Sequence, residues 1–275
     1  MAVRDSLAGT LRGTGEITGV AIDVVRDTTV SALQGARTIG GEAGHLAQDA
    51  IVGVLQATGN ISGEAVALVR DSAVGVIEGT GQVATATTTM LHDVVVGAIR
   101  GSSDAGAELG SAAQGAVEGA LRGGASVGLT AEQSLVQVTR GAIDGTREIG
   151  GALTSAAQGT VAGVITAVAS TGGDVTTAAR ETSRQLISSA AVVGEDLAQV
   201  AVSAVSGAIN AARTVGVDAE KASAAVATGA VEAAYDVSDA AGDAVRDAVS
   251  GTIQGVRVVV DSAISGDKAE EKGSA

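Results

Sequence analysis

The chain has 275 residues with neither cysteine nor proline, and a formal net charge of −14 from 31 acidic and 17 basic residues. The missing cysteines exclude disulfides and thiolate metal sites, and the acidic balance disfavours nucleic acid because its phosphates would be repelled. Apolar residues make up 45% of the sequence, which is too high a share for intrinsic disorder. We therefore expect a folded protein that does not bind nucleic acid.

The N-terminal lead, residues 1–3, precedes a strictly periodic array. Residues 1–10 lack the apolar core of a secretory signal, which predicts an intracellular and cytoplasmic protein, with a membrane or granule surface as the alternative location. From Arg4 to Asp267 the sequence divides into twelve 22-residue units in one register, with no insertion or deletion. Residues 268–275 leave the pattern and are predicted to form a solvated, charged tail.

The period of the array indicates an α-helix. Each unit equals two sets of eleven, and eleven residues complete three helical turns at about 3.67 residues per turn. Position 8 of the unit, counted from Arg4, is aliphatic in all twelve units, whereas position 9 is polar in all twelve. With positions 4, 7, 11, 14, 15, 18 and 22, position 8 forms an apolar stripe about 130° wide on one helical face. Its residues are Leu11, Leu33, Leu55, Ile77, Ile99, Leu121, Ile143, Ile165, Ile187, Ile209, Val231 and Ile253.

The 40 glycines make up about twice the fraction of roughly 7% that glycine has in most proteins. Position 6 is glycine in ten of the twelve units, with Ser31 and Gln185 as the exceptions, and position 10 is always Gly, Ala or Ser. These two positions predict a ridge of small residues on the shoulder of the stripe, where another helix can approach closely. The ridge glycines are Gly9, Gly53, Gly75, Gly97, Gly119, Gly141, Gly163, Gly207, Gly229 and Gly251.

The favoured fold is all-α: one very long amphipathic helix, or a few long helices, packed as an elongated bundle or filament. Twelve continuous units would span roughly 400 Å. A β-solenoid is one rival, and a turn in every unit, at Gly-Thr-Gly triplets such as 79–81, is another. Later units replace that triplet with Ala-Val-Ala at 167–169, which favours a continuous helix. One or two hairpin bends near Gly123 and Gly124 remain an alternative to the continuous helix.

Groups that carry chemistry are scarce. His45 and His92 lie on the polar side without a second histidine nearby, so we interpret both as solvated surface residues. No strand is followed by the Gly-x-Gly-x-x-Gly turn of a dinucleotide site. We expect no catalytic residue, no cofactor, no metal and no small-molecule substrate, and hence no enzyme.

Two further segments have alternative interpretations. An acidic stripe could attract Ca²⁺ or a basic partner, although a solvated face is the favoured interpretation. The stripe comprises Glu232, Asp236, Asp239, Asp243 and Asp247. Residues 149–173 contain no charge and are long enough to span a bilayer. Their Ser, Thr and Gln residues are spaced as in the charged units, which favours an ordinary unit of the array.

The array resembles the 11- and 22-residue amphipathic repeats of synucleins, perilipins, exchangeable apolipoproteins and late-embryogenesis-abundant proteins. Segments such as GTGEITGVAIDVV from Gly13 and SGAINAARTVGVDA from Ser206 carry the Gly-Val-Thr-Ala texture of the first two families. The resemblance implies reversible coating of a lipid droplet or membrane surface.

Three hypotheses for function follow. The first is a structural protein that self-associates through the apolar stripe and the glycine shoulder into a bundle or filament, with itself as partner. The second is an amphipathic coat on a lipid droplet, polymer granule or bilayer. The third is a stress protectant that folds on drying or on a partner.

Overall fold

The computed structural model describes residues 27, 30, 48–53, 55, 65–83 and 88–260. Almost all of them are helical, and the prediction of an all-α protein is confirmed. The residues at 48–53 and 55 are helical, and the later elements are numbered here in chain order. They are α1 Ala65–Val83, α2 Thr88–Asp104, α3 Leu109–Ser126, α4 Ala131–Glu148, α5 Leu153–Thr171, α6 Val175–Val193, α7 Leu197–Val215, α8 Ala219–Val237, α9 Asp239–Val249, β1 Gly251–Ile253 and β2 Val256–Val258.

The prediction of a continuous helix is wrong for the described part of the chain. The helices from α2 to α7 each end at a glycine with positive φ, a conformation that suits glycine because it has no Cβ. These glycines recur once per unit, at position 15, and are Gly106, Gly128, Gly150, Gly172, Gly194 and Gly216. At each of these ends the following amide donates to the carbonyl five residues back, as from Gly173 to Val168, which is a Schellman closure.

The alternative turn that the sequence predicts is also at the wrong position. Residues 79–81, where a turn was considered, lie inside α1, and Gly123 and Gly124 lie inside α3. The turn instead follows at Gly128, four residues after Gly124. Position 15 belongs to the predicted apolar stripe, where small residues also fit, so the apolar pattern alone does not mark its glycines as helix terminators.

The next helix begins three residues after each of these glycines. At position 17 the side chains of Asp174, Asp196 and Asp218 accept hydrogen bonds from the free amides of the first helical turn. Glu108 caps α3 in the same way, and Thr130 forms a capping box with Gln133 at the start of α4. An aspartate at the start and a glycine at the end thus limit α6 and α7 to 19 residues each.

The helices form two layers. Each helix from α1 to α8 packs most extensively against a helix two positions away, and consecutive helices pack across the layers. We call α1, α3, α5 and α7 the odd layer, and α2, α4, α6 and α8 the even layer. Along one pair of helices the contacting residues advance together, since Gly115 on α3 meets Val66 on α1 and Gly119 meets Arg70, so neighbours within a layer run parallel. The arrangement is that of an α-solenoid.

The last part of the described chain departs from helix. The sequence predicted helix to Asp267, but α9 ends at Val249 after 11 residues and a two-stranded antiparallel hairpin follows. Its turn residues, Gln254 and Gly255, both have positive φ, as a tight two-residue hairpin turn requires. Gly251 and Ile253 therefore lie in β1 and not on a helical face.

Candidate functional site: helix interfaces and outward faces

The position 6 glycines lie at the contacts between helices of the same layer. A Cβ built on Gly141 would be 2.7 Å from the carbonyl oxygen of His92, and one on Gly163 would be 2.6 Å from that of Gln114. Real Cβ atoms essentially never approach an atom this closely, so no side chain fits there. Equivalent contacts join Gly97 to Gln48, Gly119 to Arg70, Gly207 to Gln158 and Gly229 to Arg180.

The remaining ridge glycines are placed differently. Gly53 and Gly75 are buried within helical segments. Gly251 lies in β1 with φ +113°, and a Cβ added there would meet nothing within 4 Å. Gly9 lies outside the described residues. The ridge therefore brings helices of one chain together, at a spacing that a larger side chain would prevent.

The position 8 residues form the centre of the core. Those from Leu55 to Val231 are at most 6% exposed. They are Leu55, Ile77, Ile99, Leu121, Ile143, Ile165, Ile187, Ile209 and Val231. Ile253 is half-buried in β1, and Leu11 and Leu33 lie outside the described residues. Both features of the sequence, the stripe and the ridge, are thus used in packing within the chain.

The even layer is interrupted between α4 and α6. Gly115, Gly119 and Gly123 of α3 contact α1, and the equivalent positions of α6 are Glu181, Gln185 and Ser189. Helix α6 contains no glycine. All three side chains are half-buried, and α4 and α6 pack less extensively than the other pairs within a layer. Opposite them, Arg140 on α4 is exposed. The exception to the glycine pattern at Gln185 therefore coincides with the least extensive contact between neighbours within a layer.

Ion pairs connect neighbouring helices of the even layer. Arg100 on α2 pairs with Glu148 on α4, and Arg180 on α6 with Glu232 on α8, where a second bond from Nε measures 3.0 Å. His92 Nε2 lies 3.1 Å from an oxygen of Asp144 on α4. His92 is half-buried between two carboxylates, so its interpretation as a merely solvated residue is wrong.

One carboxylate is buried within the odd layer. The side chain of Glu118 on α3 is 3% exposed and lies 2.9 Å from Arg122 and 3.6 Å from Arg70 on α1. Burial raises the pKa of Glu118 above the usual glutamate value, and the two guanidinium groups offset only part of this effect. Among the described residues, Glu118 is the only charged one that is buried.

The two outward faces of the array differ in charge. Within α4, α6 and α8 there are twelve charged residues, but within α3, α5 and α7 there are three: Glu118, Arg122 and Arg213. The outward positions of α3, α5 and α7 carry hydroxyl and amide side chains instead, and we call this surface the neutral face. Its side chains include Ser111, Gln114, Ser155, Gln158, Thr166, Gln199, Ser203 and Asn210.

The predicted acidic stripe is not one continuous surface. Ser238 separates α8, which carries Glu232 and Asp236, from α9. Glu232 and Asp236 face arginines of α6, and Asp243 accepts a hydrogen bond of 2.6 Å from Tyr235. Among residues that the structure describes, no group of three or more His, Asp or Glu side chains is arranged to hold a metal ion.

Helix α5 is long and apolar enough to cross a membrane by length and composition, and it alone passes that test among the described helices. Two thirds of its apolar window is buried between neighbouring helices, as expected for the central helix of a two-layered array.

Comparison with protein-family models finds no match, and a search of the curated proteins also finds none.

Proposed function

We propose that this chain is a non-enzymatic structural protein whose helical array associates with copies of itself through the neutral face of α3, α5 and α7. The stripe and the ridge build the array, and the neutral face joins the copies. We propose that this assembly of copies is elongated.

The distribution of charge is the observation that carries the proposal. Copies with a net charge of −14 repel each other on average, so contact is least costly where charge is absent. The centres of protein interfaces are correspondingly depleted of charged residues. The neutral face contains only Arg122 and Arg213, both toward the ends of their helices, and the uncharged α5 lies between these helices.

The size of the neutral face also supports the proposal. A helix of 19 residues is about 28 Å long, and neighbouring helices lie about 8–10 Å apart. Three parallel helices therefore offer roughly 700 Å², close to the 800 Å² or so that each partner contributes to a standard interface. The ion-paired even layer would remain on the outside of the pair and keep it soluble.

Sedimentation velocity on matched charge variants tests this assembly. Gln158→Glu with Asn210→Glu places two carboxylates on exposed positions of the neutral face. Ser103→Glu with Ser188→Glu adds the same charge to exposed positions of the even layer. We expect the wild type and the even-layer variant to sediment well above the chain mass of 26.4 kDa, and the neutral-face variant to sediment at that mass.

A wild type that sediments at 26.4 kDa at tens of micromolar would contradict self-association. Vesicles added to the same samples distinguish the lipid coat. A coat requires the buried position 8 side chains to turn toward lipid, so flotation of the wild type with vesicles, together with a monomeric mass in their absence, would favour the coat instead.

A further inference from the structure

The hairpin of β1 and β2 lies where the array would otherwise continue. Its residues belong to the last 22-residue unit, in which Gly251 stands at position 6 and Ile253 at position 8. In earlier units the same positions are helical and pack against the helix two places before. In this unit the chain leaves the helix at Ser250, so α9 covers only part of α7.

The hairpin covers the ends of both layers. Val256 and Val258 are 8% and 3% exposed and pack into the core with residues of α7 and α8. β2 contacts α8, and Arg213 near the end of α7 donates a hydrogen bond of 2.7 Å to the carbonyl of Gln254. The surface beneath the hairpin is the side of α7 and α8 that, at every earlier step, receives another helix of the same sequence pattern.

We propose that the hairpin is a terminating cap, and that the edge of α7 and α8 beneath it accepts a second copy of this chain when the cap opens. At the preceding steps, the carbonyl oxygen of Gln158 on α5 receives Gly207, and that of Arg180 on α6 receives Gly229. Val202 on α7 precedes Gly251 by the same number of residues, so its carbonyl oxygen would receive Gly251 if the array continued. Gly251 instead lies in the hairpin, where a Cβ added to it would have no atom within 4 Å.

A second copy is therefore the partner that this edge fits, because its helices carry the same ridge of glycines. Terminal units of repeat arrays commonly have atypical structures that prevent such stacking. This edge-on contact is separate from the neutral face and does not depend on it.

The closing experiment uses the full chain carrying Gln158→Glu and Asn210→Glu, so that face-to-face contact does not contribute. Val256→Asp with Val258→Asp charges the buried side of the cap. Thr252→Asp with Val259→Asp adds the same charge to exposed positions of the same segment and is the matched control. We expect the sedimentation mass of the first variant to rise at least two-fold at tens of micromolar, and that of the control to stay unchanged.

A reversible lock provides a second measurement on one protein. Gly251→Ala with Gly255→Ala disfavours the hairpin, since both glycines have positive φ and neither has a neighbour that a Cβ would strike. Thr252→Cys with Arg257→Cys, added to that variant, joins directly paired residues of the two strands, and the chain contains no other cysteine. The oxidised protein should keep its mass, and reduction should raise it at least two-fold.

Unchanged masses for the charged variant and for the reduced lock would overturn the cap, as would association of the matched control. Failure of the proposed association through the neutral face is measured separately, because in that case the wild type itself sediments at 26.4 kDa.

Discussion

A Cβ atom on Gly229 of α8 would overlap the backbone carbonyl oxygen of Arg180 on α6. The obstacle is main chain, which cannot rotate away as a flexible side chain can. The glycine is therefore required by packing against the neighbouring helix, although within an isolated helix it would be unfavourable.

The first prediction reverses the usual effect of Gly→Ala in a helix. Helix propensity alone would favour alanine by about 1 kcal/mol. We expect Gly229→Ala and Gly207→Ala to lower the free energy of unfolding by about 1–3 kcal/mol, because overpacking outweighs propensity. Urea titration followed by circular dichroism measures the change. Gln185→Ala, at the same position of α6, is the control and should stay within about 0.5 kcal/mol of wild type; equal losses would contradict the assigned contact.

A second prediction concerns the glycines that end the helices. Gly216 has φ +76° and no atom within 4 Å of an added Cβ, so a substitution there has only a conformational cost. We expect Gly216→Ala to cost about 1–2 kcal/mol, because alanine disfavours the left-handed region. Gly216→Asn should cost less, since asparagine tolerates that region better. Thermal unfolding of both variants tests the order, and a neutral Gly216→Ala would argue against the turn.

The third prediction is a gain in stability at the start of α5. Ala152 occupies the N-cap position without a side-chain hydrogen bond, whereas aspartate caps α6, α7 and α8. We expect Ala152→Asp to raise the free energy of unfolding by about 1 kcal/mol, and Asp196→Ala to lower it by a similar amount. Both follow from denaturant titration at neutral pH. A loss of stability in Ala152→Asp would mean that the turn before α5 differs from the others.

The fourth prediction is a dependence on pH at Glu118. Its pKa is raised in the folded chain by burial, so the folded state favours the protonated carboxyl. The associated stabilisation is fully present below the pKa of the unfolded chain and is lost as pH rises through the raised pKa of the folded state.

Glu118→Gln remains neutral throughout this range. We therefore expect the free energy of unfolding of the variant, minus that of wild type, to increase from pH 4 to pH 8. Chemical denaturation at intervals of one pH unit measures the difference. A difference that decreases with pH would show that Arg70 and Arg122 outweigh the cost of burial.

The periodicity of the sequence was sufficient to predict helix, and the structure places the aliphatic position 8 in the core from Leu55 to Val231. These features follow from local geometry, since about 3.6 residues per turn aligns one face of a helix. The terminators could have been found as well. Glycine at 128, 172, 194 and 216 is followed two residues later by a capping residue, Thr130, Asp174, Asp196 or Asp218, which is the stop and start signal of consecutive helices.

The sequence by itself determined that these segments are helices with one apolar face and one shoulder of small residues. Only the tertiary structure decided which surfaces meet, because an apolar stripe requires burial but does not specify the partner. Short turns reverse the chain and make alternate helices parallel neighbours, so that Gly207 meets Gln158 of the same chain. The hairpin after Ser250 was decided in the same way, since Val256 stands at a stripe position of the repeat and yet packs with Val258 in a strand at the edge of the array.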